Sequence, residues 1–255
     1  MKIASWNVNS VKARLPRLTD YLKDYAPDVL CLQELKVLDE NFPRLEVEDL
    51  GYNIETHGQK TYNGVAILSK FPIEDVMRGL PGDDTDEQAR YIEATINNVR
   101  IASIYLPNGN PTETEKFPYK LGWMDRLITR AKYLLTLEEP TVLAGDYNVI
   151  PQDEDCYDPK AWEGDALTRP ESRNRFRQLL NLGFTDAYRA FTSEVNYTYW
   201  DYQRGAWQKD HGIRIDHLLL SPQAADRMKE VGIDKGPRGQ EKPSDHTPIW
   251  VDLAD

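Results

Sequence analysis

Apolar residues along this chain fall into short runs, and the runs have two periods. Alternation at every second position, or an unbroken apolar stretch, marks a strand; recurrence at three and four marks a helix. Lys2 to Trp6 reads as a strand that closes on Asn7 and Asn9-Ser10. Val11 to Tyr25 puts Leu15, Leu18, Tyr21, Leu22 and Tyr25 at helical spacing, with Ser10 as candidate cap and Pro27 as stop. Asp28 to Glu34 is a nearly continuous apolar run ending in a carboxylate, as expected of a strand buried on both faces. Strand, helix and strand over about thirty residues form a βαβ signature. Tyr52 to Glu55, Val65 to Leu68 and Ile73 to Met77 then suggest a meander, with turns at Gly58-Gln59 and Asn63-Gly64. Arg90 to Ile96 and Val99 to Leu106 alternate and meet at Asn97-Asn98, which predicts a hairpin.

The second half continues in the same way. Lys116 to Leu137 is a helix with Leu121, Met124, Leu127, Ile128, Ala131, Leu134 and Leu135 on one broad face. Thr141 to Ala144 leads into Gly145-Asp146-Tyr147-Asn148, where positions 146 and 148 share a strand face. Residues 153–165 form an acidic, proline-containing loop, and Glu171 to Leu182 is a helix stopped by Gly183. Tyr197 to Tyr202 is aromatic and strand-like. Gly212 to Leu220 is a buried run with polar groups at its centre; as a strand it would point Arg214, Asp216 and Leu218 one way and His217 the other. Gln223 to Glu230 reads as a short helix and Ile249 to Leu253 as a final strand. No repeat or low-complexity linker divides the chain. The expectation is one α/β domain over residues 1–255, two packed sheets with helices outside.

Composition narrows this. Of 255 residues, 40% are hydrophobic and 29% charged, the balance of a globular protein. No apolar run approaches a membrane span, and the N-terminus enters a strand without a signal-like segment. Cys31 and Cys156 are the only cysteines, which suits a reducing cytoplasm better than a disulfide scaffold. The net charge of −11 argues against adhesion to nucleic acid through overall charge. It leaves room for a local basic face or for a cation that bridges carboxylates to phosphate.

Candidate chemistry sits at the ends of the apolar runs: Asn7, Glu34, Tyr105 with Asn108, Asp146 with Asn148, and Asp216. Asp245-His246 joins them from a turn stiffened by Pro243 and Pro248. Each has a plain alternative: Asn7 and Gly145 to Asn148 as turns, Glu34 as a strand end, Tyr105 as a half-buried strand tyrosine, Asp216 paired with Arg214 or His217, and His246 as a surface histidine. In α/β folds ligands bind where strand ends converge, so five or six such endings point to a site. A nucleophile elbow, a Gly-rich phosphate loop with a Lys and a zinc-spaced cysteine set are all missing. Hard oxygen donors and an imidazole remain, which suits Mg²⁺ or Mn²⁺ and hydrolysis of a phosphate ester.

Six segments in order carry a family pattern: Trp6-Asn7-Val8-Asn9-Ser10, Leu32-Gln33-Glu34-Leu35-Lys36, Ile104 to Gly109, Gly145-Asp146-Tyr147-Asn148, Ile213-Arg214-Ile215-Asp216-His217 and Pro243 to Pro248. Over essentially the whole chain this resembles the exonuclease III family of abasic-site endonucleases, within the DNase I-like endonuclease/exonuclease/phosphatase superfamily. The resemblance implies a four-layer α/β sandwich of two mixed β-sheets flanked by helices. It implies a magnesium-dependent DNA-repair enzyme, with Mn²⁺ able to substitute. That enzyme cuts duplex DNA 5′ to abasic sites, digests 3′→5′ and cleans 3′ ends, acting as a monomer in the cytoplasm or on a bacterial nucleoid. It assigns Glu34 to the metal with Asn7 and Asp245 nearby, Asp146 and Asn148 to the attacking water, His246 with Asp216 to a phosphate oxygen, and Tyr105 to the scissile phosphate or leaving group. Asn108, Arg90, Arg173, Tyr199 and Arg214 are the expected DNA contacts. Leu35, Tyr147, Tyr199 and Ile213 depart from the usual pattern; the last two bear on the choice between abasic sites and 3′ ends. Arg169, Arg173, Arg175 and Arg177 make a local basic stretch against Glu171, and Arg204, Lys209 and Arg214 flank Tyr199, Trp200 and Trp207. RNA or a phospholipid as substrate, or a catalytically silent DNA-binding relative, are the rival readings.

Overall fold

The structure, a computed structural model, describes residues 1–254. In chain order the elements are β1 (Lys2–Asn7), α1 (Leu15–Asp24), β2 (Val29–Gln33), α2 (Arg44–Glu48), β3 (Asn53–His57), β4 (Val65–Ser69), β5 (Glu74–Arg78), β6 (Tyr91–Ile96), β7 (Val99–Tyr105), α3 (Lys116–Thr136), β8 (Thr141–Asp146), α4 (Pro170–Leu182), β9 (Thr185–Asp186), α5 (Ala187–Phe191), β10 (Asp216–Leu220), α6 (Pro222–Ala225), β11 (Met228–Ile233) and β12 (Ile249–Leu253). One six-stranded sheet has the order β11-β12-β1-β2-β4-β3 and the other β5-β6-β7-β8-β10-β9. Each sheet contains one parallel pair, β1 with β2 and β7 with β8, and every other pairing is antiparallel. The fold is therefore the expected pair of mixed sheets flanked by helices.

The unbroken apolar runs are explained by burial on both faces. Ile3, Val29, Cys31, Val65 and Ile67 of the first sheet meet Ile92, Ala94, Ile101, Val142, Ala144, Leu218 and Leu220 of the second in one inter-sheet core. The intervening positions Ala4, Trp6, Leu30, Leu32, Ala66 and Leu68 pack under α1 with Leu18, Tyr21 and Leu22. On the far side Ala102, Ile104, Leu143 and Leu219 pack with α3 and α4 through Met124, Leu127, Ala131, Phe176 and Leu179. Truncating any of these leucines to alanine would cost about 2–5 kcal/mol.

Along the inter-sheet face the side chains become polar toward one end. Gln33 Nε2 donates to Ser5 Oγ at 3.2 Å and to Ser103 Oγ at 3.0 Å, and Ser103 Oγ donates to the Leu32 carbonyl at 2.9 Å. Two residues further along β1, β7 and β8 stand Asn7, Tyr105 and Asp146. The C-terminal ends of both parallel pairs converge there, joined by the N-terminal end of β10, where Asp216 is in register with Asp146.

Several expected elements differ. The first helix begins at Leu15, because Asn9 and Ser10 adopt positive φ (45° and 85°) and residues 8–14 form turns. Val11 is nevertheless buried in the core under α1, which is why it fitted the helical spacing. Arg14, not Ser10, is the N-cap residue. Residues 223–230 are not one helix: α6 ends at Ala225, and from Met228 the chain pairs with β12 as the edge strand β11. Tyr197 to Tyr202 forms only isolated bridges, Tyr199 to Ile213 and to His246. Regular pairing in the 212–220 run starts at Asp216, and the irregular stretch before it breaks the alternation. Arg214 consequently swings to the side of His217, with Arg214 Nη1 at 3.1 Å from His217 Nδ1, rather than sharing a face with Asp216. The hairpin at Asn97-Asn98 has the paired positive φ values (48° and 61°) of its turn class. Among the described residues no helix is long and apolar enough to cross a membrane.

Candidate active site

Asn7 lies between the two carboxylates. Its amide nitrogen donates to Glu34 Oε1 at 2.9 Å and to Asp146 Oδ2 at 2.8 Å, while its oxygen accepts the Asn9 N–H at 3.0 Å. As placed, Asn7 orients the two carboxylates. Glu34 and Asn148 both turn the chain out of a strand with left-handed backbones, φ 53° and 46°. That conformation is uncommon for a glutamate, and such strain collects at functional sites. Gly145 is required for a different reason: a Cβ there would overlap the Ile104 carbonyl oxygen in the parallel neighbour β7. Lys36 Nζ reaches Glu34 Oε2 at 3.0 Å and Asn9 Oδ1 at 2.6 Å. Burial raises the Glu34 carboxyl, but the Asn7 hydrogen bond and the charges of Lys36 and His246 outweigh it and hold Glu34 below its ordinary value.

On the other side, His246 Nδ1 is 2.8 Å from Asp216 Oδ2, and its Nε2 is 3.7 Å from Asp146 Oδ2. Both backbone N–H groups at 215 and 216 donate to Thr198 Oγ1 at 3.1 Å, which fixes the start of β10. The turn carrying His246 is tied to β1: Ser244 Oγ donates to the Asn7 carbonyl at 2.6 Å, and Trp6 Nε1 to the His246 carbonyl at 3.1 Å. Burial lowers the imidazole, yet Asp216 and Asp146 pull harder and raise it to about 10. The two carboxylates thus favour the doubly protonated ring. Asp146 moves up, through burial first and then the repulsion of Asp216 and Glu34, against the pull of His246 and Asn7.

One oxygen or nitrogen atom from each of Glu34, Asp146 and His246 lies within 4.8 Å of the others. With His246 protonated, the donors left for a cation are the two carboxylates, a hard-oxygen set that fits a divalent ion of the magnesium class. Asp245 stands apart from this group, its Oδ1 accepting from Asn9 Nδ2 at 3.1 Å.

Asn148 is held at every polar atom. Its N–H donates to Asp146 Oδ1 (3.0 Å), its Nδ2 to the Leu106 carbonyl (2.8 Å), and its Oδ1 accepts from Asn108 Nδ2 (3.1 Å). Beneath it Lys120 is fully buried, with Nζ donating to the carbonyls of Asn148 (2.6 Å), Asn108 (3.1 Å) and Ala166 (3.3 Å). Three acceptors match the three protons of an ammonium, although burial pulls Lys120 down to about 7 against Asp165 and Asp146. Tyr105 closes the site; burial and then Glu34 and Asp146 raise its phenol, so it stays protonated. The Arg90 guanidinium sits 4.8 Å over the Tyr105 ring.

A cavity of about 210 Å³ contains Glu34, Tyr105, Asn108, Asp146, Asn148 and His246, with Tyr199, Ile213 and Asp245 on its walls. Tyr199 meets His246 edge-on at 5.0 Å between centroids. Next to it, a groove of about 560 Å³ is lined by Lys36, Arg90, Lys116, Tyr62 and Asn108. Two residues of the sequence-derived set lie elsewhere. Arg214 is wholly buried, bonded to Asp155 Oδ1 (2.8 Å) and to both oxygens of Asp186 (3.1 and 2.9 Å), so it cannot contact DNA. The flanking position in sequence suggests a surface charge, whereas two buried aspartates neutralise it. Arg173 bonds the Ile150 carbonyl and Asp153 and lines a separate cavity. Lys36 and Lys120 were missed. Lys120 had a signal, since Phe117, Lys120, Met124 and Leu127 share the buried face of α3.

The profile of the Endonuclease/Exonuclease/phosphatase family matches residues 4–246. Exodeoxyribonuclease III of Haemophilus influenzae is 36% identical, over 99% of this chain and 100% of that one. Among solved structures, a 3′ phosphatase from Neisseria, NExo, bound to a product DNA hairpin superposes with a TM-score of 0.97 at 41% identity, covering 100% of both chains. An AP endonuclease from Archaeoglobus fulgidus superposes at 0.96 with 36% identity, again over 100% of both.

Proposed function

The chain belongs to the endonuclease/exonuclease/phosphatase family, and on that premise we propose that it is a DNA-repair phosphodiesterase, with residues 1–255 as one catalytic domain. It hydrolyses duplex DNA 5′ to abasic sites and removes nucleotides and blocking groups from 3′ ends with Mg²⁺. The observation that carries this is the Asn7 amide bridging Glu34 and Asp146 at 2.9 and 2.8 Å, with the His246–Asp216 pair opposite. Glu34, with Asp146 beside it, would hold the divalent cation, which when bound neutralises charge developing on the phosphate.

The residues then divide the work. Asp146, made more basic by burial, accepts the proton of the attacking water, and the Asn148 N–H keeps its Oδ1 aimed. His246 presents Nε2–H to a non-bridging phosphate oxygen, its other proton locked on Asp216. The Tyr105 hydroxyl faces the departing oxygen. Asn108, Arg90 and Lys36 line the groove that takes the DNA backbone, so binding is local and salt-sensitive despite the net charge of −11. Tyr199 packs against the sugar.

The test is a duplex with one abasic analogue. Cutting on its 5′ side with Mg²⁺, stopped by EDTA, is expected. Asp146→Asn should lower kcat by about 10²-fold or more while leaving duplex binding measurable. No cutting at any pH between 5 and 10 would end the proposal.

A further inference from the structure

Beyond the wall formed by Tyr199, Trp162 and Ile213 lies a second cavity, of about 350 Å³, that shares these three residues with the catalytic one. A cavity of this size falls within the range that takes small molecules, about 300–1,000 Å³. Its far side is the Tyr157–His211 pair, stacked with centroids 4.4 Å apart and planes at 3°. Arg204 stands at the rim and is exposed.

The slot is built rather than incidental. Its two loops are laced together: the Tyr157 N–H donates to the Gly212 carbonyl at 3.1 Å, and Cys156 bridges to Ile213. Gly212 is required for this, because a Cβ would stand 2.6 Å from both Trp200 and Tyr197. Flat aromatic walls are what a nucleobase needs, and Arg204 can meet its attached phosphate, with the exposed Asp201 carboxylate also on the lining. Tyr199 separates the slot from His246 by a single ring, so an occupant lies within one nucleotide of the reacting phosphorus.

We propose that this slot takes the base of the nucleotide on the 3′ side of the cut, stacked against the Tyr157–His211 face. The proposal rests on the phosphodiesterase reading above and adds to it a base subsite, which discriminates 3′-terminal nucleotides that still carry a base from those that do not. An abasic sugar or a bare 3′-phosphate leaves the slot empty.

The experiment measures kcat and KM with Mg²⁺ on three duplexes, ending in a normal 3′ nucleotide, ending in a 3′-phosphate, or carrying an abasic analogue. The proteins are the intact chain, Tyr157→Ala and Tyr157→Trp. Tyr157 is 39% exposed and its structural bond is through the backbone, which alanine keeps. Tyr157→Ala should raise KM for the terminal nucleotide roughly five- to a hundred-fold, the range of one lost stack. The other two substrates should change less than about two-fold, and Tyr157→Trp should restore the first. Equal effects on all three substrates, or none on the terminal nucleotide, would overturn the slot. A second readout needs no turnover. With 2-aminopurine as the 3′-terminal base, in EDTA, the intact chain should quench its fluorescence and Tyr157→Ala should not. Quenching without cutting of any substrate would sink the phosphodiesterase reading and keep the slot; cutting without quenching would do the reverse.

Discussion

The charge on Asp216 is the sharpest thing to remove. Asp216→Asn keeps size and shape, and the Thr198 Oγ1 bonds to the backbone of 215 and 216 survive it. What goes is the carboxylate 2.8 Å from His246 Nδ1. The imidazole is raised from 6.5 to about 10. At about 1.36 kcal/mol per pKa step, that difference favours the imidazolium by at most about 5 kcal/mol. Burial opposes it, and Asp216 leads the groups that overcome burial. Without that charge, Asp146, with smaller pulls from Asp245 and Glu34, must hold the proton against burial, and the value should fall toward neutrality. The sign follows from linkage. A raised folded value contributes stability in full below the unfolded value near 6.5 and loses it as pH rises through about 10. In Asp216→Asn that window closes. The same loss removes the Nε2 donor from the phosphate, an effect of about 10²–10³ in kcat. The assays are the pH dependence of kcat on an abasic duplex and the titration of the His246 ring proton by NMR in EDTA. The alkaline limb should move down from near 10 toward neutrality. An unmoved limb with kcat within a factor of two of the wild type would refute the role given to the pair.

Lys120→Met should lower the urea midpoint by the equivalent of about 3–5 kcal/mol, because three buried carbonyls lose a charged donor. Its kcat should fall as well, since two of those carbonyls belong to Asn108 and Asn148; a fully stable, fully active variant would show that the ammonium is not the clasp. Arg214→Met should cost a similar amount by stranding Asp186 and leaving Asp155 with Arg189 alone, and should leave DNA affinity unchanged within two-fold. Burial raises both carboxyls, but Arg214, helped by Arg189 at Asp155 and by His217 at Asp186, overcomes it and holds them low. Their stability contribution is thus present above about pH 4 and lost only as pH falls through the depressed folded values. In Arg214→Met acid unfolding should begin at higher pH, which a pH scan of the far-ultraviolet circular dichroism would read.

The strands with the clearest sequence signal are those buried on both faces. Val29–Gln33 and Thr141–Asp146 have no polar residue in their interiors, so their polar ends are conspicuous. Gln223 to Glu230 misled because an edge strand has one solvated face. Only Val231 of β11 is buried, and the strand's identity comes from β12, more than fifteen residues away. Arg214 and Lys120 fail for a shared reason. A charge in sequence carries no sign of whether a remote partner neutralises it, and their partners lie tens of residues off. Lys120 alone left a trace, since a lysine on the apolar stripe of a long helix must be satisfied by something the helix does not contain. The convergence of Asn7, Glu34, Tyr105 and Asp146 follows from topology that no local pattern encodes. Only parallel neighbours bring two C-terminal ends together, and each sheet has one such pair. Stacking the sheets so that those pairs face each other makes a four-ended polar cluster out of residues that, one at a time, look like turns.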